Sequence, residues 1–168
     1  LWACRLPKNL TAKESMVIGT AGLTAGLCIK KLKKLNGING RNAVVTGATG
    51  GVGSFAIKLL KLLGAKVTAI TTKLNQKDFL KTIGADEIIS MKDFINSVRK
   101  PMAKGIWDIG IDTVGGDILS NLIPSMKYGG VITCCGNVAG PSFNATVYPF
   151  ILRANHLVGI DSAETPIY

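Results

Sequence analysis

The stretch VVTGATGGVGS, from Val44 to Ser54, decides the fold of this chain. Two β-branched apolar residues run into a cluster of glycines, and a segment with helical periodicity follows. This order predicts a buried strand, a tight turn and the start of a helix. Such a turn presents backbone N–H groups to the phosphates of a ligand, so the stretch also raises the question of which ligand it holds.

Short apolar runs alternate with helical patterns along the rest of the chain. Strands are predicted at NAVVT, KVTAIT, EIIS, WDIGID, GVITCC and HLVGID, with helical patterns between most of them. Continuous apolar strands interleaved with helices indicate a parallel sheet covered on both faces. Because crossover connections are right-handed, the predicted fold class is α/β, a Rossmann-type doubly wound parallel sheet of about six strands in the order 3-2-1-4-5-6.

Two helices are predicted in more detail. Thr11 and Glu14 have the spacing of a capping box, so the first helix begins at Thr11 and ends near the turn at residues 36–40. The helix after the glycine turn is expected to expose Lys58 and Lys61. It is expected to bury the apolar side chains Phe55, Leu59, Leu62 and Leu63.

The composition is that of a globular protein. The chain has 168 residues, enough for one domain with a full core, and 47% of them are hydrophobic and 18% charged. Apolar runs stay below the roughly 18 residues that a membrane span needs, and the first residues lack the layout of a signal peptide. The four cysteines fit no zinc-ligand spacing, so we expect reduced thiols, no metal site and a cytoplasmic location.

The net charge of +10 permits a nucleic-acid surface. The densest basic run, from Lys30 to Arg41, has helical periodicity followed by turn residues. It contains no aromatic residue that could stack on bases. We therefore expect a solvated lysine-rich face that attracts an anionic small molecule, and no nucleic-acid partner.

The glycine turn matches most of the dinucleotide-binding pattern G-x-G-x-x-G. Gly50 and Gly53 occupy its second and third glycine positions, and Ala48 stands at the first. Gly50 allows the backbone to approach a pyrophosphate, and Gly53 allows the helix to pack on its strand. The alternative is a purely structural turn, whereas a P-loop is excluded because no Gly-Lys-Ser/Thr follows. The order of strand, turn and helix favours dinucleotide binding.

The end of the second strand distinguishes the two dinucleotides. An NAD site places Asp or Glu there, about 20 residues after the glycines, to bind the ribose 2′-OH. This chain has Thr71, Thr72 and Lys73 instead, two hydroxyls and an ammonium that suit a 2′-phosphate. The pattern favours NADP(H), and the alternative is that Lys73 is a solvated loop lysine.

The glycine turn also fits the short-chain dehydrogenase pattern T-G-x-x-x-G-x-G, with Thr46, Gly47, Gly51 and Gly53 at the defined positions. That family performs its proton chemistry with a Tyr-x-x-x-Lys pair. None of the chain's tyrosines has a lysine four residues later; they are Tyr128, Tyr148 and Tyr168. A classical short-chain enzyme is therefore disfavoured, and the alternative left from this family is an atypical, non-catalytic regulator that senses NADP(H).

A second resemblance rests on five segments that occur in order. They are residues 18–29 (IGTAGLTAGLCI), 44–67 (VVTGATGGVGSFAIKLLKLLGAKV), 79–89 (FLKTIGADEII), 111–119 (IDTVGGDIL) and 148–166 (YPFILRANHLVGIDSAETP). Together they resemble the medium-chain dehydrogenase/reductase superfamily, and most closely the acrylyl-CoA reductase-like group of its zinc-independent quinone oxidoreductase branch. The resemblance covers essentially the whole chain, and PFILR followed by GIDS is its most specific element.

The resemblance implies a two-domain enzyme of which this chain is one part. Residues 1–10 would lead in from a GroES-like catalytic domain, and residues 11–168 would form the NADP(H)-binding Rossmann domain. The implied reaction is hydride transfer from NADPH to a quinone or to an activated C=C of the enone or acrylyl-CoA type. The isolated chain is then expected to bind cofactor without catalysing the reaction, and a homodimer is implied through the edge strand HLVGID.

The resemblance also assigns cofactor contacts by position. The phosphate-binding turn comprises Thr49, Gly50, Gly51, Val52 and Gly53. The 2′-phosphate site comprises Thr71, Thr72 and Lys73. Asn137 and Ile151 match positions that line the nicotinamide end, and Ser162 matches another position on the cofactor side. Val52 and Ile151 have the alternative interpretation of plain core residues.

Three further residues bear on this assignment. The family has Arg where this chain has Met91, and the neighbouring Lys92 either replaces that charge or points away. Asp112 ends a predicted strand, and we interpret it as holding the turn near the cofactor rather than as a catalytic carboxylate. The catalytic residues themselves are expected in the GroES-like domain and are not identified.

Overall fold

The computed structural model describes residues 5–98 and 102–164. In chain order these residues form α1 (Ala12–Leu35), β1 (Asn42–Thr46), α2 (Gly51–Leu62), β2 (Lys66–Thr71), α3 (Lys77–Ile83), β3 (Glu87–Ser90), α4 (Met91–Ser97), β4 (Trp107–Asp112), α5 (Gly116–Leu122), β5 (Met126–Cys134), α6 (Tyr148–Arg153) and β6 (His156–Gly159). Short 3-10 turns at Leu74–Gln76 and Ile123–Ser125 precede α3 and follow α5.

The strands of the described residues form one parallel sheet in the order β3-β2-β1-β4-β5-β6. At its centre, Val45 of β1 stands opposite Ala69 of β2 and Ile111 of β4. Buried side chains form one cluster beneath α1, α2 and α3, and a second cluster beneath α4 and α5. The predicted fold class and strand order are therefore confirmed.

The first helix, α1, begins where the sequence predicts but contains a kink. Thr11 is its N-cap: the Thr11 hydroxyl accepts a hydrogen bond from the N–H of Glu14 (3.2 Å), and the Thr11 N–H donates to the Glu14 carboxylate (2.8 Å). The helical backbone breaks at Gly19, which has φ 47° and ψ −156°. Glycine adopts this conformation readily and other residues do so at a cost, which explains why the kink lies at this residue.

The predicted inner face of α2 is wrong for Leu62 and Leu63, which are 71% and 38% exposed. The buried stripe consists of Gly53, Ala56, Ile57 and Leu60. Small residues in this stripe let α2 lie close to the sheet. Leu62 then faces away, because it lies about 200° around the helix from Leu60. Phe55 and Leu59 are half-buried and pack against the core beneath α1, as predicted.

The turn between β1 and α2 approaches the helix so closely that position 53 accommodates only glycine. A Cβ at Gly53 would lie 2.9 Å from Ala48 Cα and nearer still to the carbonyl oxygen of Gly47. At Gly50 a Cβ would lie 3.2 Å from that same oxygen, which also accepts a hydrogen bond from the Gly50 N–H (2.9 Å). Gly53 therefore lets the first turn of α2 pack against the turn that follows β1.

A buried hydrogen-bond network joins the carboxyl ends of β1 and β4, on either side of the point where the strand order reverses. Thr46 Oγ1 donates to Asp112 Oδ1 (2.6 Å) and accepts from the N–H of Thr113 (3.1 Å). Asp112 Oδ2 accepts from the N–H of Gly115 (2.9 Å). Thr46 and Asp112 are both fully buried. Asp112 thus holds the turn after β4, as the sequence analysis predicted.

We expect Gly53→Ala to destabilise the chain by about 1–3 kcal/mol, because the added Cβ would force the turn and the helix apart. Gly26→Ala is the matched control, since a Cβ at this position in α1 would meet nothing within 4 Å. There, helix propensity should stabilise the chain by up to about 1 kcal/mol. Urea unfolding followed by circular dichroism measures both variants, and equal losses would contradict the packing argument.

We expect Thr46→Val to lower the free energy of unfolding by at least about 2 kcal/mol, because a buried carboxylate oxygen and a backbone N–H each lose a partner. Thr46→Ser keeps the hydroxyl and should cost about 1 kcal/mol, the loss of one buried methyl group. The same unfolding experiment compares them. A valine variant as stable as the serine variant would show that the network contributes little.

Candidate functional site

A cleft lies over the carboxyl ends of β1, β2 and β4, the edge at which open parallel sheets bind ligands. This first cleft encloses about 340 Å³. Its lining comes from the turns after these strands, from the start of α4 and from the loop after β5: Gly47, Thr49, Gly50, Thr71, Thr72, Lys73, Met91, Thr113, Val114, Val138 and Ala139. The fold thus brings part of the predicted phosphate turn and the whole predicted 2′-phosphate site into one cleft.

The turn after β1 presents backbone donors to the first cleft. Gly50 is the N-cap of α2 in an extended conformation, and it has no side chain with which to cap the first N–H groups of the helix. The aligned peptides of α2 also place partial positive charge at this end. Residues 51–54 include no carboxylate that would neutralise it. This end of the cleft therefore suits an anion such as a pyrophosphate.

The end of β2 and the residues after it line another part of the first cleft. Thr71 is buried, and its hydroxyl accepts a hydrogen bond from the N–H of Lys73 (3.0 Å). The same hydroxyl lies 3.4 Å from Thr49 Oγ1, so this segment is joined to the phosphate turn. Thr72 and Lys73 are exposed. The lining of the cleft includes one lysine and four threonines but no carboxylate.

Met91 lines the first cleft, whereas Lys92 is exposed and is not part of the lining. The two residues begin α4, whose N-cap Ser90 accepts a hydrogen bond from the N–H of Asp93 (3.2 Å). Lys92 therefore lies outside the lining that Met91 joins. Lys73 is the cationic residue of the lining.

A second cleft, of about 520 Å³, lies over the carboxyl ends of β5 and β6. It is lined by Cys134, Cys135, Gly136, Asn137, Gly159, Ile160 and Asp161. Asn137 is the predicted site residue in this cleft, and it is exposed. The second cleft thus contains one of the two residues predicted at the nicotinamide end, and Ile151, the other, does not line it.

Residues 136–140 form a loop that divides the two clefts and is held by backbone contacts. The N–H of Ala139 donates to the carbonyl of Val114 (2.8 Å) in the turn after β4. A Cβ at Gly136 would collide with the carbonyl of Thr113 in the same turn. The loop and the turn therefore approach each other as closely as backbone allows.

The remaining predicted site residues line neither cleft; they are Gly51, Val52, Gly53, Ile151 and Ser162. Val52 is half-buried and packs against the core beneath α1, while Ile151 on α6 is 68% exposed. Ser162 accepts a hydrogen bond from the hydroxyl of Thr24 (2.8 Å), which ties the segment after β6 to α1. Their assignment as cofactor contacts stays a prediction.

Sequence reasoning missed the apolar wall of the first cleft. Val114, Val138 and Ala139 line it together with the threonines and Lys73. The position of Val114, two residues after the carboxyl end of β4, was a usable signal. Val138 and Ala139 carried no signal, because isolated apolar residues in a loop form no pattern.

Within residues 5–98 and 102–164, no three His, Cys, Asp or Glu side chains are grouped so that they could hold a metal ion. Over the same ranges, every helix is too short or too polar to cross a membrane. Cys28, Cys134 and Cys135 are free thiols, and Cys4 lies outside the described residues. Two of these thiols line the second cleft.

Comparison with known sequences identifies the family. The profile of the family described as zinc-binding dehydrogenase matches residues 51–166. YhfP of Bacillus subtilis, which bears the name quinone oxidoreductase, is 43% identical over 99% of this chain. AcuI of Ruegeria pomeroyi, an acrylyl-CoA reductase, is 39% identical over 98% of it. The chain spans about half the length of these relatives, 51% of YhfP and 50% of AcuI.

Solved structures agree with this comparison. The yhdH oxidoreductase from Salmonella enterica, in complex with NADP, has a TM-score of 0.92 at 42% identity, over 98% of this chain and 51% of that one. YhfP with NAD bound also has a TM-score of 0.92, over 97% of this chain and 50% of its own. These matches disfavour the short-chain alternative. The chain therefore belongs to the zinc-binding dehydrogenase family, and its relatives confirm the predicted similarity to the acrylyl-CoA reductase-like group of the medium-chain dehydrogenase/reductases.

Proposed function

We propose that the chain is the NADP(H)-binding domain of a zinc-independent oxidoreductase that transfers hydride to a quinone or to an electron-poor C=C of the enone or acrylyl-CoA type. In this proposal residues 11–168 form the domain, and residues 1–10 lead into it from a GroES-like catalytic domain of a longer protein. The observation that carries the proposal is the first cleft. Its lining combines residues of the phosphate turn with the ammonium of Lys73 and includes no carboxylate. The names of the relatives supply the reaction class.

The N-terminus of α2 is the proposed pyrophosphate site. Gly50 leaves the backbone of the turn open to the ligand, and Gly53 keeps the first turn of the helix against the turn that follows β1. A larger residue at position 53 would displace the N–H groups that face the phosphates. The shape of the turn and the partial charge of the helix thus support the same ligand.

Lys73 and Thr72 are the proposed partners of the 2′-phosphate. One relative has been solved with NADP and another with NAD, so relatives of this chain bind either dinucleotide. An NAD site has a carboxylate that binds the ribose 2′-OH and repels a 2′-phosphate. Because the first cleft has an ammonium and no carboxylate, it favours NADP(H).

The nicotinamide ring of the bound cofactor would supply the hydride. The chain's own residues would orient that cofactor: α2 fixes the phosphates in the first cleft, and Asn137 faces the second cleft, where the ring would lie. Groups that stabilise negative charge on the substrate oxygen and deliver the proton would come from the rest of the longer protein. The isolated chain is therefore expected to bind cofactor without turnover.

The proposal includes a small-molecule substrate, a cytoplasmic location and a homodimer formed through β6. Among the described strands, β6 pairs only with β5, and an open strand edge is a template for a second copy of the chain. Free thiols such as Cys28 suit a reducing compartment. Light scattering of the chain tests the assembly, and a monomer at all concentrations would contradict the dimer.

We expect Lys73→Glu to weaken NADPH binding by at least about tenfold, because a charge-assisted hydrogen bond becomes a repulsion at the 2′-phosphate. NADH binding should change little, since NADH has no phosphate at this position. Calorimetric titration of the chain with each dinucleotide measures both effects. Equal losses for NADPH and NADH would place Lys73 away from the 2′-phosphate.

Lys92→Glu is the matched control, with the same charge change on a lysine outside the first cleft. We expect its effect on NADPH binding to be less than about threefold, since exposed charges in water interact weakly. A loss as large as that of Lys73→Glu would assign the 2′-phosphate to Lys92 instead.

The activity belongs to the longer protein and is tested there. We expect the full-length gene product to oxidise NADPH in the presence of acrylyl-CoA or a benzoquinone. The decrease in NADPH absorbance, with NADPH alone as the control, measures the rate. A full-length protein that binds NADPH but oxidises it with neither acceptor would support a sensing role instead.

A further inference from the structure

A third cleft, of about 620 Å³, is lined by the second half of α1 and by the end of β6. Its described lining consists of Leu27, Lys30, Lys31, Lys34, Gly159, Ile160 and Asp161. The three lysines belong to the basic run from which the sequence analysis expects attraction for an anionic small molecule. The proposed function leaves them without a role, because the dinucleotide would occupy the first and second clefts.

The lysines of the third cleft form a row on one face of α1. Leu27, Lys30, Lys31 and Lys34 have the spacing i, i+3, i+4 and i+7, which brings side chains onto the same face of a helix. All three lysines are exposed. They extend over about 6 Å of the helix axis, and the flexible side chains lengthen their reach. Such a row suits a ligand with several phosphates better than a single small anion.

Among the described residues of this lining, Asp161 carries the negative charge. Its Oδ1 accepts hydrogen bonds from the N–H groups of Ala163 (2.8 Å) and Glu164 (3.1 Å). These bonds hold the pKa of the carboxyl group below its ordinary value, so Asp161 is an anion at neutral pH. One carboxylate against three ammonium groups leaves the lining cationic.

The third cleft is continuous with the second. Gly159, Ile160 and Asp161 line both of them. A Cβ at Gly159 would meet nothing within 4 Å, so the passage between the two clefts is open at this residue. A ligand with one end beside Asn137 in the second cleft can therefore place its other end beside the lysines.

We propose that the third cleft binds the phosphates of a coenzyme A thioester whose acyl group lies in the second cleft, an inference that rests on the proposed function for the reaction. Coenzyme A carries a diphosphate and a 3′-phosphate, separated from the thioester by an uncharged pantetheine arm. Ammonium groups form charge-assisted hydrogen bonds with phosphates. A benzoquinone is uncharged and gains nothing from the lysines. The row therefore favours the acrylyl-CoA type of acceptor over a quinone.

Calorimetric titration of the chain with coenzyme A tests the site. The chain is first saturated with NADPH, because the adenosine part of coenzyme A would otherwise compete for the first cleft. We expect coenzyme A to bind this complex, and added salt to weaken the binding. Pantetheine, which lacks the phosphates, should bind at least about tenfold more weakly. No binding of coenzyme A, or equal affinity for pantetheine, would overturn the proposal.

Lys34→Glu should weaken coenzyme A binding at least about fivefold, because an attraction to phosphate becomes a repulsion. Lys33→Glu is the matched control: the same charge change at an exposed neighbour, in the same last turn of α1, but outside the lining. Its effect should be less than about twofold. NADPH binding should be unchanged in both variants. Equal losses of coenzyme A affinity would contradict the assignment.

Steady-state kinetics of the full-length gene product test the choice of acceptor. Lys34→Glu should raise the KM for acrylyl-CoA about fivefold and leave kcat unchanged, since the lysine holds the phosphates far from the reacting carbon. The KM for a benzoquinone should not change, and equal increases for both acceptors would overturn the proposal.

The binding experiments separate this inference from the proposed function. If NADPH binds the chain and coenzyme A does not, the inference fails and the proposed function stands with a quinone as acceptor. If NADPH does not bind, the proposed function fails. Titration of the unliganded chain then still decides the site, because Lys34→Glu and Lys33→Glu must differ if the third cleft holds the phosphates.

Discussion

A buried hydrogen bond from Thr46 to Asp112 joins β1 to β4 at the point where the strand order reverses. The Asp112 carboxylate also accepts a hydrogen bond from the N–H of Gly115, which holds the turn after β4. It accepts another from the thiol of Cys134 at the end of β5. The phosphate turn, the turn after β4 and the end of β5 therefore share one anchor. Both clefts depend on it, because each is built from backbone that this anchor holds in place.

The architecture could be predicted from the sequence because its cause is local. Apolar runs of strand length, separated by helices, leave a covered parallel sheet as the arrangement that buries them. The glycine turn then locates the first strand at the centre. The capping box at Thr11 was equally local, since both of its partners lie within one helical turn.

Other features depend on side-chain packing, which the hydrophobic periodicity of the sequence does not predict. The inner face of α2 follows from the small residues Gly53 and Ala56, which draw the helix to the sheet and leave Leu62 in solvent. The kink at Gly19 and the short helix α6 were not predicted, because a glycine within a helical pattern and a six-residue helix give weak signals. The cleft walls joined loops that are distant in sequence, so only the folded chain shows which side chains meet.

The loop at residues 136–140 is held by its backbone rather than by its side chains. The N–H of Ala139 bonds to the carbonyl of Val114, and Gly136 lies against the carbonyl of Thr113. The side chain of Val138, by contrast, is 88% exposed. Substitutions at exposed positions of this loop can therefore alter what the two clefts accept while the loop keeps its path, which makes it a place where selection can change specificity at little cost in stability.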